Sequence, residues 1–249
     1  MDTSPRVALV TGAARGIGRG IANALAADGL AVAVGYSTAA GLAEEVALAI
    51  RGAGGRALPV SLQIEDRASV TAALTTIRAE FGAVDVLVNN AAIAQEKPFE
   101  TITDQDWSRM LAVNLQGPFI CVQEVLPAML AKGWGRIINI SSIGGQWGGF
   151  NQVHYAAAKA GLINLTRSLA KIYGGRGILT NAVSPGLVAT DMTAAELSSE
   201  AGRQKVAQSP AGRTGSIDEV AAVVAFLASE RASYVLGQTI NVNGGQYFG

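Results

Sequence analysis

Val7-Ala8-Leu9-Val10-Thr11-Gly12-Ala13-Ala14-Arg15-Gly16-Ile17-Gly18 decides the architecture. Four apolar residues of strand type run into a glycine-rich turn, and the turn opens a helix-like stretch. Glycine permits positive φ and a close approach of backbone to a ligand. A helix starting there presents unpaired N–H groups and the positive end of its dipole. Strand, turn and helix together make a candidate pyrophosphate cradle formed by Gly12, Arg15, Gly16, Ile17 and Gly18. The glycine spacing, three residues and then one, departs from G-x-G-x-x-G, so a merely structural turn is the competing reading.

Outward from this stretch, apolar runs at 7–10, 31–34, 57–61, 84–88, 136–140, 179–183 and 238–242 have the composition of strands covered on both faces. Helix-like segments at 18–28, 42–52, 68–81, 104–132, 153–173 and 217–228 alternate with them. The alternation predicts an α/β fold in one domain over 1–249: a Rossmann-type, doubly wound parallel sheet of about seven strands. Residues 187–210 break the pattern. An insertion after the sixth strand lies over the carboxyl ends of the sheet, where ligands bind, and reads as a small substrate-covering lobe. An ordinary surface helix pair is the alternative.

The 249 residues are 49% hydrophobic and only 15% charged, with 19 basic and 19 acidic side chains. No basic run or basic helix face stands out, which argues against nucleic acid or an anionic membrane as partner. One cysteine, Cys121, and one histidine, His154, cannot make an intramolecular disulfide or by themselves a Cys/His zinc site, and no metal is expected. No stretch approaches the ~20 apolar residues of a membrane span. The start, Met1 to Arg6, carries acid before base and leads straight into a strand, unlike a secretory signal. A cytoplasmic protein is the expectation.

A site for NAD places Asp or Glu roughly 20 residues beyond the cradle, on the ribose hydroxyls. Here the second strand candidate ends in Gly35-Tyr36-Ser37-Thr38, without a carboxylate. A carboxylate would repel a 2′-phosphate, whereas Ser37 can donate to it and Arg15 can pair with it. The cofactor expected is therefore NADP(H). Were Arg15 merely to point into solvent, half of that argument would go.

The acid–base candidate is Tyr155-Ala156-Ala157-Ala158-Lys159, whose i, i+4 spacing sets a phenol and an ammonium on one helix face. A free phenol has a pKa near 10, and a neighbouring ammonium favours the phenolate and lowers it. Such a Tyr can give a proton to a carbonyl oxygen as hydride reaches carbon, or take one from an alcohol in reverse. Ser142, at the carboxyl end of the strand candidate 136–140, can donate to the same oxygen, and Ser141 competes for that role. Asn114, a polar amide in an apolar helical run, either anchors a water that relays protons through Lys159 or is a buried, helix-bending amide.

Thr11-Gly12-x-x-x-Gly16-x-Gly18, Asn89-Asn90-Ala91, Asn114, Ser142, Tyr155-x-x-x-Lys159 and Pro185-Gly186, in this order and spacing, resemble the short-chain dehydrogenase/reductase family over nearly the full length. The resemblance implies that Asn114, Ser142, Tyr155 and Lys159 form a catalytic tetrad, which demotes Ser141. It implies that Asn90 and Ala91 line the adenosine side, that Gln63 and Ile64 lie near the adenine, and that Pro185, Gly186, Val188 and Thr190 meet the nicotinamide end. Within the family, the run from Asn181 to Met192 and the ending Val242-Asn243-Gly244-Gly245 are most similar to bacterial 3-oxoacyl-(acyl-carrier-protein) reductases. That likeness implies a thioester substrate, which acyl carrier protein could carry, and a homotetramer whose last strand and late helices pack between subunits.

Departures from the pattern bear on partners. Gln63 replaces the usual acid near the adenine, and Ala92 a usual glycine. Of two basic residues that receive the carrier protein, one matches Arg176; the other falls at Gly133, with Lys132 adjacent. Trp147 and Phe150 either shape a pocket for a compact or aromatic ketone or simply pack. His154 is expected to be structural and Cys121 core. Reduction of a ketone is the leading expectation; oxidation of a sugar, polyol or other secondary alcohol is the alternative, and a dinucleotide sensor without catalysis the third.

Overall fold

A computed structural model describes residues 5–249. The reading of the N-terminus therefore rests in part on residues 1–4, which lie outside the described residues. The chain runs β1 (Val7–Val10), α1 (Gly16–Ala27), β2 (Ala31–Tyr36), α2 (Ala40–Gly52), β3 (Arg56–Ser61), α3 (Arg67–Glu80) and β4 (Val86–Asn89). There follow α4 (Asp104–Leu111), a π turn (Ala112–Gln116), α5 (Gly117–Lys132), β5 (Gly135–Ile140), a single-turn α6 (Gly144–Trp147), α7 (Val153–Tyr173) and β6 (Ile178–Pro185). α8 (Ala194–Ser198), α9 (Glu200–Gln208), α10 (Ile217–Ala228) and β7 (Thr239–Val242) complete it.

All seven strands join one parallel sheet in the order β3-β2-β1-β4-β5-β6-β7. Strand side chains alternate between faces. Ala8 and Val10 of β1 pack with Ile21, Leu25, Val46 and Val224 on one face, while Val7 and Leu9 pack with Val70, Ile77, Val125 and Met129 on the other. Burial on both faces is why the strands read as continuous apolar runs. The strand order reverses between β1 and β4, and the crevice at their carboxyl ends is where such sheets take ligands.

The predicted helix over 104–132 is three pieces. A π turn covers Ala112–Gln116, just before Pro118, which has no N–H to offer the carbonyl of Asn114. The 187–210 segment holds the pair α8 and α9, entered beside a bridge between Val188 and Gly215. Among the described residues no helix is long and apolar enough to cross a membrane, and no group of three or more His, Cys, Asp and Glu side chains could hold a metal ion.

Candidate active site

The turn after β1 is rigid because its neighbour holds it. Asn90 donates through Nδ2 to the carbonyls of Thr11 (2.9 Å) and Gly12 (3.0 Å), and Thr11 Oγ1 accepts from the N–H groups of Asn90 and Ala91. Gly12 has φ +63°, and a Cβ there would lie 2.8 Å from the Ala91 Cα, so both conformation and space require glycine. α1 starts at Gly16 behind Arg15, which makes no side-chain cap. The first-turn amides are thus left for an anion. Arg15 is exposed, Ile17 packs its side chain toward the α1 core, and Ser37 is exposed just past β2.

The adenine-side expectations separate. Gln63 is exposed, with its N–H bound to Ser69 Oγ at 2.9 Å. Ile64 is buried against Gly117, where an added Cβ would come within 2.7 Å of its Cγ1. The side chain of Ile64 is therefore core. At the far end, Pro185 finishes β6, Gly186 fits under Gln246 and Asn243, and Val188 is buried. Thr190 reaches back to the cradle: its methyl group lies 3.8 Å from where a Cβ on Gly16 would stand. Sequence separation hid that approach.

The four polar residues converge at the carboxyl ends of β4 and β5. Lys159 is buried on α7 and donates through Nζ to the Ile140 carbonyl (2.8 Å), with Nζ 5.6 Å from the centre of the Tyr155 ring. Ser142 Oγ accepts from the Gly144 N–H (3.1 Å) and lies beside the Tyr155 hydroxyl. Ser141 points the other way and donates to the Lys159 carbonyl (3.1 Å). Asn114, tipped inward by the π turn, donates through Nδ2 to the carbonyls of Ile93 (3.0 Å) and Met110 (3.1 Å). Its buried Oδ1 has no protein partner among the described residues and remains a free acceptor.

The electrostatics correct one expectation. The ammonium does not bring the phenol down in the protein alone. Burial pushes Tyr155 up to about 12, with the Ser142 hydrogen bond opposing it. Burial also pulls Lys159 down to about 8. Desolvation disfavours the charged form of each.

Around this centre, His154 is fully buried and its Nε2 donates to Gln95 Oε1 (2.8 Å). Gln95 in turn donates to Asp106 (3.0 Å), which Lys97 also binds (2.6 Å), so the segment after β4 is tied to α4 and α7. Burial lowers the His154 pKa. Cys121 is buried, and desolvation raises its thiol to about 12. Trp147 packs edge-on against Tyr247 with ring centres 6.2 Å apart, while Phe150 is 97% exposed. Lys132 is paired with Asp85 at 2.5 Å, and Gly133 ends α5 at φ +64°, a conformation that a larger residue adopts only with strain. Sequence reasoning missed Gln146, whose Nε2 donates to Ser184 Oγ (2.9 Å) and Asn241 Oδ1 (2.6 Å).

Comparison with known proteins agrees with this geometry. Residues 12–246 match a family whose description is Enoyl-(Acyl carrier protein) reductase. The chain is 46% identical over 247 residues to the 3-oxoacyl-(acyl-carrier-protein) reductase FabG of Salmonella typhimurium, covering 99% of each. Its structure superposes with a TM-score of 0.94 on a putative gluconate dehydrogenase from Agrobacterium tumefaciens, at 32% identity, covering 98% of this chain and 97% of that one. The TM-score is 0.92 on a gluconate 5-dehydrogenase from Burkholderia cenocepacia in complex with NADP and tartrate, at 34% identity, covering 98% and 95%. By its matching family and full-length relatives, and with the sheet and Tyr155–Lys159 helix described above, this chain belongs to the short-chain dehydrogenase/reductase family.

Proposed function

We propose that the protein is an NADPH-dependent reductase of ketones, with a 3-oxoacyl thioester or similar β-keto compound as substrate. The observation that carries this is the grouping of the Ser142 hydroxyl beside the Tyr155 phenol with the Lys159 ammonium 5.6 Å from the Tyr155 ring centre. The 46% identity to a 3-oxoacyl-(acyl-carrier-protein) reductase supports the substrate class.

The residues present fit a dinucleotide, because the Gly12 turn and the uncapped first turn of α1 leave backbone amides for phosphates. Gly12, Arg15, Gly16, Ile17 and Gly18 would hold the pyrophosphate and Ser37, with Arg15, the 2′-phosphate. Gln63, Ile64, Asn90 and Ala91 would flank the adenosine; Ile64 would do so through its backbone. Pro185, Gly186, Val188 and Thr190 would meet the nicotinamide end. When bound, the cofactor supplies the hydride. Tyr155 gives its proton to the carbonyl oxygen, which a phenol near 12 does readily once that oxygen gains alkoxide character. Ser142 donates a hydrogen bond to the same oxygen. Lys159 would bind the ribose and restore the proton to Tyr155, and Asn114 Oδ1, a buried acceptor without a protein partner among the described residues, would hold the relay water. The pair α8 and α9 covers the substrate.

Oxidation of a sugar acid, the reading that the gluconate dehydrogenase neighbours favour, needs a cation for the substrate carboxylate; Lys97, on the segment after β4, is already paired with Asp106. The family likeness extends the proposal to a cytoplasmic homotetramer, and the exposed Phe226 and Tyr234 beside β7 support buried subunit contacts. The Lys132–Asp85 pair leaves less free positive charge for an acidic carrier protein, so we infer that small thioesters are accepted without it.

The test is loss of NADPH absorbance with an acetoacetyl thioester, set against NADP reduction with gluconate and other polyols. Turnover of polyols alone would overturn the main reading. With ketone as substrate, activity requires Lys159 charged and Tyr155 neutral. Lys159 is protonated below its pKa, so kcat/KM is expected to be level up to neutral pH and to fall as pH rises through about 8. A profile level to about pH 10, the range of a free lysine, would remove Lys159 from the relay. Ser37→Asp is expected to shift the NADPH-over-NADH ratio of kcat/KM down by about tenfold or more, since about 1.4 kcal/mol of repulsion suffices. Parallel titrations with both cofactors check it, and an unchanged ratio would take Ser37 out of the phosphate site.

A further inference from the structure

Ser142 belongs to no regular element. It lies between the end of β5 and the single turn α6, and the N–H that holds its Oγ, that of Gly144, is the first of α6. A four-residue turn cannot hold itself, because helix formation pays its nucleation cost before later bonds return it. Something outside must fix α6. Gly145 rests on the backbone of Lys159, where an added Cβ would lie 2.8 Å from the carbonyl carbon. The other grip is Gln146. Both protons of its amide are engaged, one on Ser184 Oγ and one on Asn241 Oδ1. Ser184 and Asn241 are register partners on β6 and β7, so one side chain bridges a single rung of the sheet, and Ser184 is fully buried.

We propose that Gln146 is a positioning residue for the reaction: it pins α6 to the β6–β7 rung so that the Gly144 N–H presents Ser142 Oγ to the Tyr155 hydroxyl. The path runs through bonded atoms from Ser184 and Asn241 to the Gln146 amide, one turn of backbone, the Gly144 N–H and Ser142 Oγ, and Ser142 Oγ lies beside Tyr155. Gln146 touches neither substrate nor cofactor in this account; it acts through Ser142. The inference rests on the reductase reading given above.

Gln146→Met keeps the length and removes both donors. We expect kcat for ketone reduction to fall about 10-fold to 100-fold, the scale set by small displacements of reacting groups. NADPH affinity, read by cofactor fluorescence, should stay within about threefold, since the turn after β1 is untouched. The decisive comparison is a cycle with Ser142→Ala. If Gln146 acts through Ser142, Gln146→Met in the Ser142→Ala background changes kcat by less than about twofold. Equal losses in both backgrounds, or no loss in the wild-type background, would overturn the proposal. Hydrogen exchange of residues 141–147 gives a reading independent of activity, and faster exchange there in Gln146→Met is expected. Should the wild type reduce no ketone, the reductase reading falls by itself, and unchanged exchange would then overturn the positioning role separately.

Discussion

Tyr155→Phe is expected to lower kcat for ketone reduction at least about a hundredfold, the lower end of what a positioned general acid contributes. The substitution removes one oxygen and leaves the ring where it packs. Lys159 keeps its bond to the Ile140 carbonyl, and Ser141 keeps its bond to the Lys159 carbonyl, so the start of α7 retains its shape. NADPH affinity is therefore expected to change by less than about threefold, which separates loss of chemistry from loss of binding. Ser142 remains held by the Gly144 N–H, so thermal stability should move little. Steady-state rates, cofactor titration and a melting curve on one preparation make the test. A variant with more than about a tenth of wild-type kcat would transfer the proton to another donor. His154 is a poor candidate for that donor, because its Nε2 is bound to Gln95.

The parts of the molecule legible in the sequence are those with a local cause. Seven apolar runs announced seven strands because both faces of the sheet are covered, and 153–173 and 217–228 read as helices because their apolar faces repeat without interruption. That Asn114, Ser142, Tyr155 and Lys159 act together was an expectation of the family resemblance, carried by their order and spacing. What was not visible has a non-local cause. The π turn has no marker in the local sequence pattern, and the inward Asn114 depends on hydrogen bonds to the carbonyls of Ile93 and Met110. Gln146 binds Asn241, 95 residues away, and nothing in the run Gly144 to Gly149 marks it. Thr190 over Gly16 is of the same kind. The phenol's acidity was misread because i, i+4 spacing reports the proximity of Lys159 and not the desolvation of both groups. Spacing carries geometry; burial, which decides the sign here, is a property of the whole fold.

Gly18→Ala is expected to weaken NADPH binding by about tenfold or more and to lower the melting temperature, against the ordinary preference of helices. Alanine exceeds glycine in a helix interior by about 1 kcal/mol, so propensity alone predicts stabilisation. Space decides otherwise. A Cβ on Gly18 would stand 2.3 Å from the Gly12 carbonyl oxygen and 2.5 Å from Asn90 Nδ2. Neither neighbour is the free end of a flexible side chain: the first is backbone, and the second is bound to the carbonyls of Thr11 and Gly12. Forcing extra volume into a packed site costs about 1–3 kcal/mol, more than the helix gains, and the strain falls on the turn that holds the phosphates. Gly41→Ala is the matched control, since Gly41 lies in α2 with nothing within 4 Å of an added Cβ. There the helix preference acts unopposed, and a gain of about 0.5–1 kcal/mol with unchanged cofactor affinity is expected. Melting curves and NADPH titrations on the two variants read both effects. A Gly18→Ala protein that melts later and binds NADPH as the wild type does would mean that the turn after β1 is not the phosphate cradle, and the dinucleotide site would have to be sought elsewhere on the sheet.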